Sequence, residues 1–135
     1  MKTIKVSVCI SVHNTAHLLP RCLDSLLKQT MKDLEIVLVN NGSSDNSEDI
    51  MRQYSNHYPQ IQWQIIVQED RGLAQGRQTG INHAIGEYIA FLDADDYVDS
   101  HMYSKLYDVA IENSADMGHR TKRILRIERK EYQTY

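Results

Sequence analysis

Four short runs of apolar, β-prone residues punctuate the chain: "IKVSVCISV" (4–12), "LEIVLVN" (34–40), "IQWQIIVQ" (61–68) and "EYIAFLD" (87–93). Between them the apolar residues recur at helical spacing. Strands alternating with helices predict an α/β fold, a mostly parallel sheet with helices on both faces. The first helix is expected to hold Cys22, Leu23, Leu26 and Leu27 on one face, with Pro20 in its first turn, where a missing N–H costs nothing. After the second run, Asp45 and Glu48 have capping-box spacing, Ile50, Met51 and Tyr54 follow at helical intervals, and Pro59 closes the unit. No internal repeat, low-complexity tract or interdomain linker interrupts the pattern.

The third helical segment, "GLAQGRQTGINHAIG", carries Gly72, Gly76 and Gly80 at intervals of four. Glycine inside a helix costs about 1 kcal/mol relative to alanine, so a close backbone approach to the sheet or to a ligand is the expected compensation. Arg77, Gln78 and Asn82 rule out the membrane-dimer reading of that spacing. Gly86 is a natural stop. Beyond about residue 115 the pattern becomes basic and only loosely amphipathic, in "GHRTKRILRIERKEYQTY". This tail reads as a solvated terminal helix, with a membrane-surface or partner-binding segment as the sharper alternative.

Composition narrows the class. A chain of 135 residues has room for one domain with a real core. Its net charge of -3 argues against a nucleic-acid partner, which calls for a basic surface. No apolar run approaches the roughly 20 residues of a membrane span, and "MKTIKVSVCISVHN" lacks the features of a signal peptide. Cys9 and Cys22 suit reduced packing positions better than a disulfide. The expected location is the cytoplasm, with a peripheral position on the inner face of the membrane left open.

In an open parallel sheet, ligands gather beyond the carboxyl ends of the strands, above all where strand order reverses. Each polar cluster of this chain follows a strand: His13 and Asn14 the first, "NNGSSDNS" the second, "EDRG" the third and "DADD" the fourth. They are expected to share one crevice. Within it Asp93, Asp95 and Asp96 crowd three carboxylates into four positions, with Asp99 just beyond, and such charges repel unless a cation sits among them. A turn and helix cap needs only one or two short polar residues. An EF-hand fails, because counting from Asp93 puts Val98 and Ser104 where glycine and glutamate belong. An aspartyl-nucleophile phosphatase stays open as a minor alternative, although its motif is expected after the first strand. The favoured reading is a grip on a hard divalent ion, Mg²⁺ or Mn²⁺, that also holds substrate phosphates.

The stretches "VSVCISVHNTAHLLPRCLDSLLKQT", "LEIVLVNNGSSDNSEDI" and "RGLAQGRQTGINHAIGEYIAFLDADDYVD", in this order and spacing, resemble the nucleotide-binding half of the family 2 glycosyltransferases. The resemblance covers roughly residues 4–115 and implies a Rossmann-like GT-A fold that binds a nucleotide-diphosphate sugar, a UDP-sugar first among candidates. "DADD" matches the family's D-x-D signature. It implies Asp93 near the ribose, and Asp95 with Asp96 on the metal that bridges the phosphates. Ser11 and His13 stand where residues of the family line the nucleotide pocket; an ordinary loop histidine is the competing reading of His13. Asn40 and Asn41 stand where the family usually has two aspartates, the second on the base. An asparagine keeps a carbonyl acceptor and adds two donors. Arg77 matches a position where a guanidinium meets diphosphate oxygens, and a structural ion pair is the alternative.

Residues 1–115 are thus expected to form the nucleotide-sugar-binding domain, and 116–135 a basic tail that is not a separate domain. The family's acceptor-binding half, with its carboxylate general base, has no counterpart here, and Asp116, Glu128 and Glu131 cannot be given that role from spacing. The implied activity is sugar transfer to a hydroxyl of a glycan or lipid-linked acceptor, in bacterial polysaccharide or cell-surface glycan synthesis. The alternative is a truncated or degenerate module that binds the nucleotide sugar without turnover. An uncovered sheet edge would favour self-association.

Overall fold

The computed structural model describes residues 3–113 and 123–125. Strands β1 (Val6–Val12), β2 (Leu34–Asn41), β3 (Gln62–Gln68) and β4 (Tyr88–Phe91) alternate with helices α1 (Leu19–Leu27), α2 (Ser47–His57) and α3 (Leu73–His83), and α4 (Met102–Glu112) and β5 (Arg123–Leu125) follow. All the strands pair in parallel, in the order β3-β2-β1-β4-β5. The chain steps outward from β1 to β3, then returns to lay β4 on the other side of β1. That reversal opens a crevice beyond the carboxyl ends of β1 and β4, the place where parallel sheets bind ligands.

The period of two along β1 divides the core. Val6, Val8, Ile10 and Val12 are buried with Leu19, Leu23 and Leu26 of α1, Met51 of α2 and Tyr103 of α4. On the opposite face Cys9 joins Val37, Val39 and Ile89, with Ile81 of α3 packed against them. β2 is buried at all eight positions, as a central parallel strand covered on both faces must be. Each fully buried leucine or isoleucine contributes about 1.5–3 kcal/mol relative to exposure.

Several local expectations meet the structure directly. Pro20 sits in the first turn of α1, and the buried stripe is Leu19, Cys22, Leu23 and Leu26; Leu27 is only half-buried. Both cysteines are buried and unbridged. The glycine row of α3 does bring backbone against sheet: a Cβ on Gly76 would overlap the Ser11 hydroxyl, and one on Gly80 would stand 3.0 Å from Cys9 Cβ.

The capping box did not form, because α2 begins at Ser47, two residues after Asp45. Asp45 Oδ1 instead accepts hydrogen bonds from the Ser47 amide (3.0 Å) and hydroxyl (2.6 Å), and its Oδ2 accepts from the Ala16 amide (3.1 Å). Glu48 is left to pair with Arg52 at 3.0 Å, one turn along the helix. The tail also departs from its expected helix: residues 123–125 add a strand beside β4. The rest of that expectation lies outside the described residues. Among the described residues, no helix is long and apolar enough to cross a membrane.

Candidate functional site

A hollow of about 430 Å³ opens at the carboxyl ends of β1 and β4, and Ser11, His13, Asn41, Asp70, Asp93 and Asp95 line it. Ser11, His13, Asn41, Asp93 and Asp95, each singled out from the sequence, therefore meet in one place. Arg77 and Asp96 are not among the lining residues, and each is tied to Asp93. Arg77 reaches from α3 to Asp93, Nη2 to Oδ1, over 3.8 Å, while its guanidinium carbon lies 5.4 Å from the Phe91 ring centroid. Asp96 is buried beside Asp93 and Asp95.

The three carboxylates owe their convergence to a tight turn. β4 ends at Phe91, and the Asp96 amide donates to the Asp93 carbonyl at 3.0 Å, folding the chain back on itself. One oxygen from each of Asp93, Asp95 and Asp96 then lies within 4.8 Å of the others. Oxygen donors of formal charge at this spacing are the chemistry a hard divalent cation takes, and the set fits Mg²⁺ or Mn²⁺. Beneath the turn, the Cys22 thiol is raised far above its ordinary pKa, first by burial and then by the three aspartates. It is a packing group and not a nucleophile.

The opposite wall is built from loops. His13 Nδ1 donates to the Asn41 carbonyl at 2.8 Å and lies 3.9 Å from Asp70 Oδ2. A carbonyl can only accept, so the proton sits on Nδ1. Asn14 takes a left-handed conformation, φ 51°. Its Oδ1 accepts from the amides of Ser44 (2.8 Å) and Asp45 (3.2 Å), which ties the loop after β1 to the loop after β2.

Asn41 commits its whole amide to the end of β3 and the loop that follows it into α3. Its Oδ1 accepts from Gln68 Nε2 (3.1 Å) and the Arg71 amide (3.4 Å), and its Nδ2 donates to Asp70 Oδ1 (3.3 Å) and the Gly72 carbonyl (3.1 Å). An asparagine has two donors and two acceptor positions, and all four are in use. The carboxylate that borders the hollow on this side is Asp70, whose side chain is 52% exposed. Sequence reasoning marked "EDRG" as a polar cluster but gave Asp70 no role. Gly42 makes room for it: with φ +70°, any Cβ there would stand 2.7 Å from the Asp70 nitrogen.

Residues 7–133 match the family model described as Glycosyl transferase family 2. The chain is 41% identical over 112 residues to the uncharacterized glycosyltransferase EpsJ of Bacillus subtilis (strain 168), covering 83% of this chain and 32% of that protein. It is 39% identical over 114 residues to the glycosyltransferase GlyA of Streptococcus pneumoniae serotype 4, covering 84% and 16%. Among solved structures, S. aureus TarS 1-349 in complex with UDP superposes with a TM-score of 0.74 at 26% identity, over 81% of this chain and 32% of that one. The mannosyltransferase PcManGT from Pyrobaculum calidifontis, in complex with GDP-Man and Mn²⁺, gives 0.74 at 26%, over 85% and 33%. The GT-A fold expected from the sequence is borne out. The chain spans about a third or less of the length of these proteins.

Proposed function

Because the chain belongs to glycosyl transferase family 2, we propose that it is the donor-binding part of a glycosyltransferase. It holds a nucleoside-diphosphate sugar together with Mn²⁺ or Mg²⁺. The observation that carries this reading is the gathering of Asp93, Asp95 and Asp96 within 4.8 Å at the mouth of the crevice where strand order reverses. Asp95 and Asp96 are the residues that hold the ion. When bound, the ion supplies Lewis-acid stabilisation of the departing nucleoside diphosphate.

The residues around that cluster divide the remaining work. Arg77, 46% exposed and already beside Asp93, offers a guanidinium to diphosphate oxygens. Asp93 is the acceptor for the ribose. At the other wall, Asp70 offers a carboxylate to a nucleobase N–H, and Asn41 acts on the base through Asp70. Ser11 and His13 floor the space between the two. UDP and GDP-mannose in the solved relatives make uracil and guanine the first bases to test, since both present such an N–H.

Transfer itself needs a second set of groups. A base must deprotonate the acceptor hydroxyl, which attacks the anomeric carbon while the bond to the diphosphate breaks. Positioning and general-base catalysis of that kind contribute about 10²–10⁴-fold from the base alone, and no described residue is assigned the role. In the whole protein the acceptor is a hydroxyl of a glycan or lipid-linked carrier. A bacterial surface polymer is the expected setting.

Thermal shift against a panel of nucleoside diphosphates, each with and without Mn²⁺, tests the reading. A diphosphate at about 100 times its dissociation constant adds roughly 2.7 kcal/mol of stability. Stabilisation that appears only with diphosphate and Mn²⁺ together is the expected result. Stabilisation by simple phosphate esters, with turnover to phosphate, would favour the phosphatase alternative.

A further inference from the structure

The carboxylate turn does not stand by itself. Successive residues of α1, and those just beyond it, hold the backbone of the segment that carries it. Arg21 Nη2 donates to the Asp95 carbonyl at 3.0 Å, and the Cys22 thiol faces the Asp93 carbonyl at 3.7 Å. Past the end of the helix, Gln29 Nε2 donates to the Asp99 carbonyl at 2.6 Å, and Gln29 Oε1 accepts from the Tyr103 amide at 3.2 Å. The Thr30 amide donates to the Ser100 carbonyl at 2.9 Å.

Cys22 and Gln29 are buried, the Thr30 contact is made by backbone alone, and their role ends with packing. Arg21 differs. Its side chain is exposed, and its guanidinium carbon lies 4.5 Å from the centroid of the Tyr97 ring. The ring belongs to the residue immediately after the cluster. Arg21 thus grips the turn twice, at the backbone of Asp95 and at the side chain two positions on. Asp95 is the exposed member of the three carboxylates, the one with least packing to hold it, so this double hold falls where the turn needs it.

We propose that Arg21 is a positioning residue for the metal ligands, fixing Asp95 in register with Asp93 and Asp96 by clamping its carbonyl and stacking on Tyr97. The proposal rests on the reading of the cluster as a divalent-cation site. It separates cleanly from an electrostatic effect, because the two have opposite signs. Arg21 is a positive charge beside a cation site, so removing it for charge reasons alone tightens a divalent ion. Removing a positioning group loosens it. Mg²⁺, which demands near-ideal octahedral geometry, suffers more from a slack ligand set than Ca²⁺, which accepts irregular coordination.

The experiment is calorimetric titration of the full chain with Mn²⁺ alone, and separately with Mg²⁺ and with Ca²⁺, for wild type, Arg21→Ala, Tyr97→Ala, the double variant and Asp95→Asn. Urea unfolding of each variant confirms the fold. Arg21→Ala and Tyr97→Ala are each expected to weaken Mn²⁺ by about 10-fold, the usual size of effect for groups that orient metal ligands. Ca²⁺ affinity is expected to fall less than Mg²⁺ affinity. The double variant is expected to be little worse than either single one, since both break the same clamp. Should one variant fail to fold, the other carries the same test. Tighter or unchanged Mn²⁺ binding in Arg21→Ala, with wild type binding and Asp95→Asn not, would overturn the positioning role and leave the metal site standing. Wild type that binds no Mn²⁺ would overturn the metal reading and this proposal with it.

Discussion

Asn41 Nδ2 donates to Asp70 Oδ1 over 3.3 Å, joining the end of β2 to the loop that leads into α3. The pair defines one wall of the crevice, and its chemistry is directional: amide on β2, carboxylate on the loop. Asn41→Asp would remove both donors from a residue only 3% exposed and set a second carboxylate against Asp70. The expected cost at neutral pH is about 1–3 kcal/mol. Adding Asp70→Asn exchanges the two partners and is expected to recover most of that loss. Urea unfolding of the two singles and the double measures the coupling. Simple additivity would mean that the two side chains do not meet as described.

The glycine row of α3 gives a second prediction, with a sign opposite to helix propensity. Alanine ordinarily gains about 1 kcal/mol over glycine inside a helix. At Gly76 the new Cβ would overlap the Ser11 hydroxyl and stand 3.2 Å from Ser11 Cβ. Gly76→Ala is therefore expected to destabilise by about 1–3 kcal/mol, the usual cost of overpacking. Ser11→Ala in the same chain is expected to restore part of it. The check is the denaturation midpoint, and a stabilised Gly76→Ala would place α3 further from β1 than it is here.

Asp45 supplies a pH dependence. Its hydrogen bond from the Ser47 hydroxyl, followed by those from the amides of Ala16 and Ser47, holds its pKa below the ordinary value of 3.8. A depressed carboxylate stabilises the fold above its unfolded pKa, and that contribution is lost as pH falls through the folded value. Asp45→Asn is thus expected to be less stable than wild type at pH about 7, with the gap narrowing below pH about 4. Unfolding curves at the two extremes decide it; a gap that widens in acid would contradict the sign.

The first four strands could be read from the sequence because each is an apolar run long enough to cross the sheet, and the order of polar clusters after them pointed to one shared crevice. β5 could not. It is three residues, Arg123–Leu125, inside a basic stretch with no alternation. The carboxylate cluster was legible because its members are adjacent, so repulsion among them is evident before any folding. Contacts made only by folding were hidden: Asp70 gains its place through Asn41, 29 positions away, and Arg21 meets Asp95 across 74. The capping box misled because Asp45 has the right spacing from Glu48, yet the helix starts later, where Ala16 and Ser47 together compete for that carboxylate.

The most direct test of metal-dependent nucleotide binding is calorimetric titration of UDP, and of GDP in parallel, into wild type and Asp95→Asn, each with Mn²⁺ and with a chelator. Asp95 is exposed and belongs to the three-carboxylate cluster, so its loss is expected to leave the fold intact, or slightly more stable as repulsion is relieved. The predicted result is nucleoside-diphosphate binding by wild type only when Mn²⁺ is present, with that binding lost in Asp95→Asn. Equal affinity in both proteins, unaffected by the chelator, would contradict it.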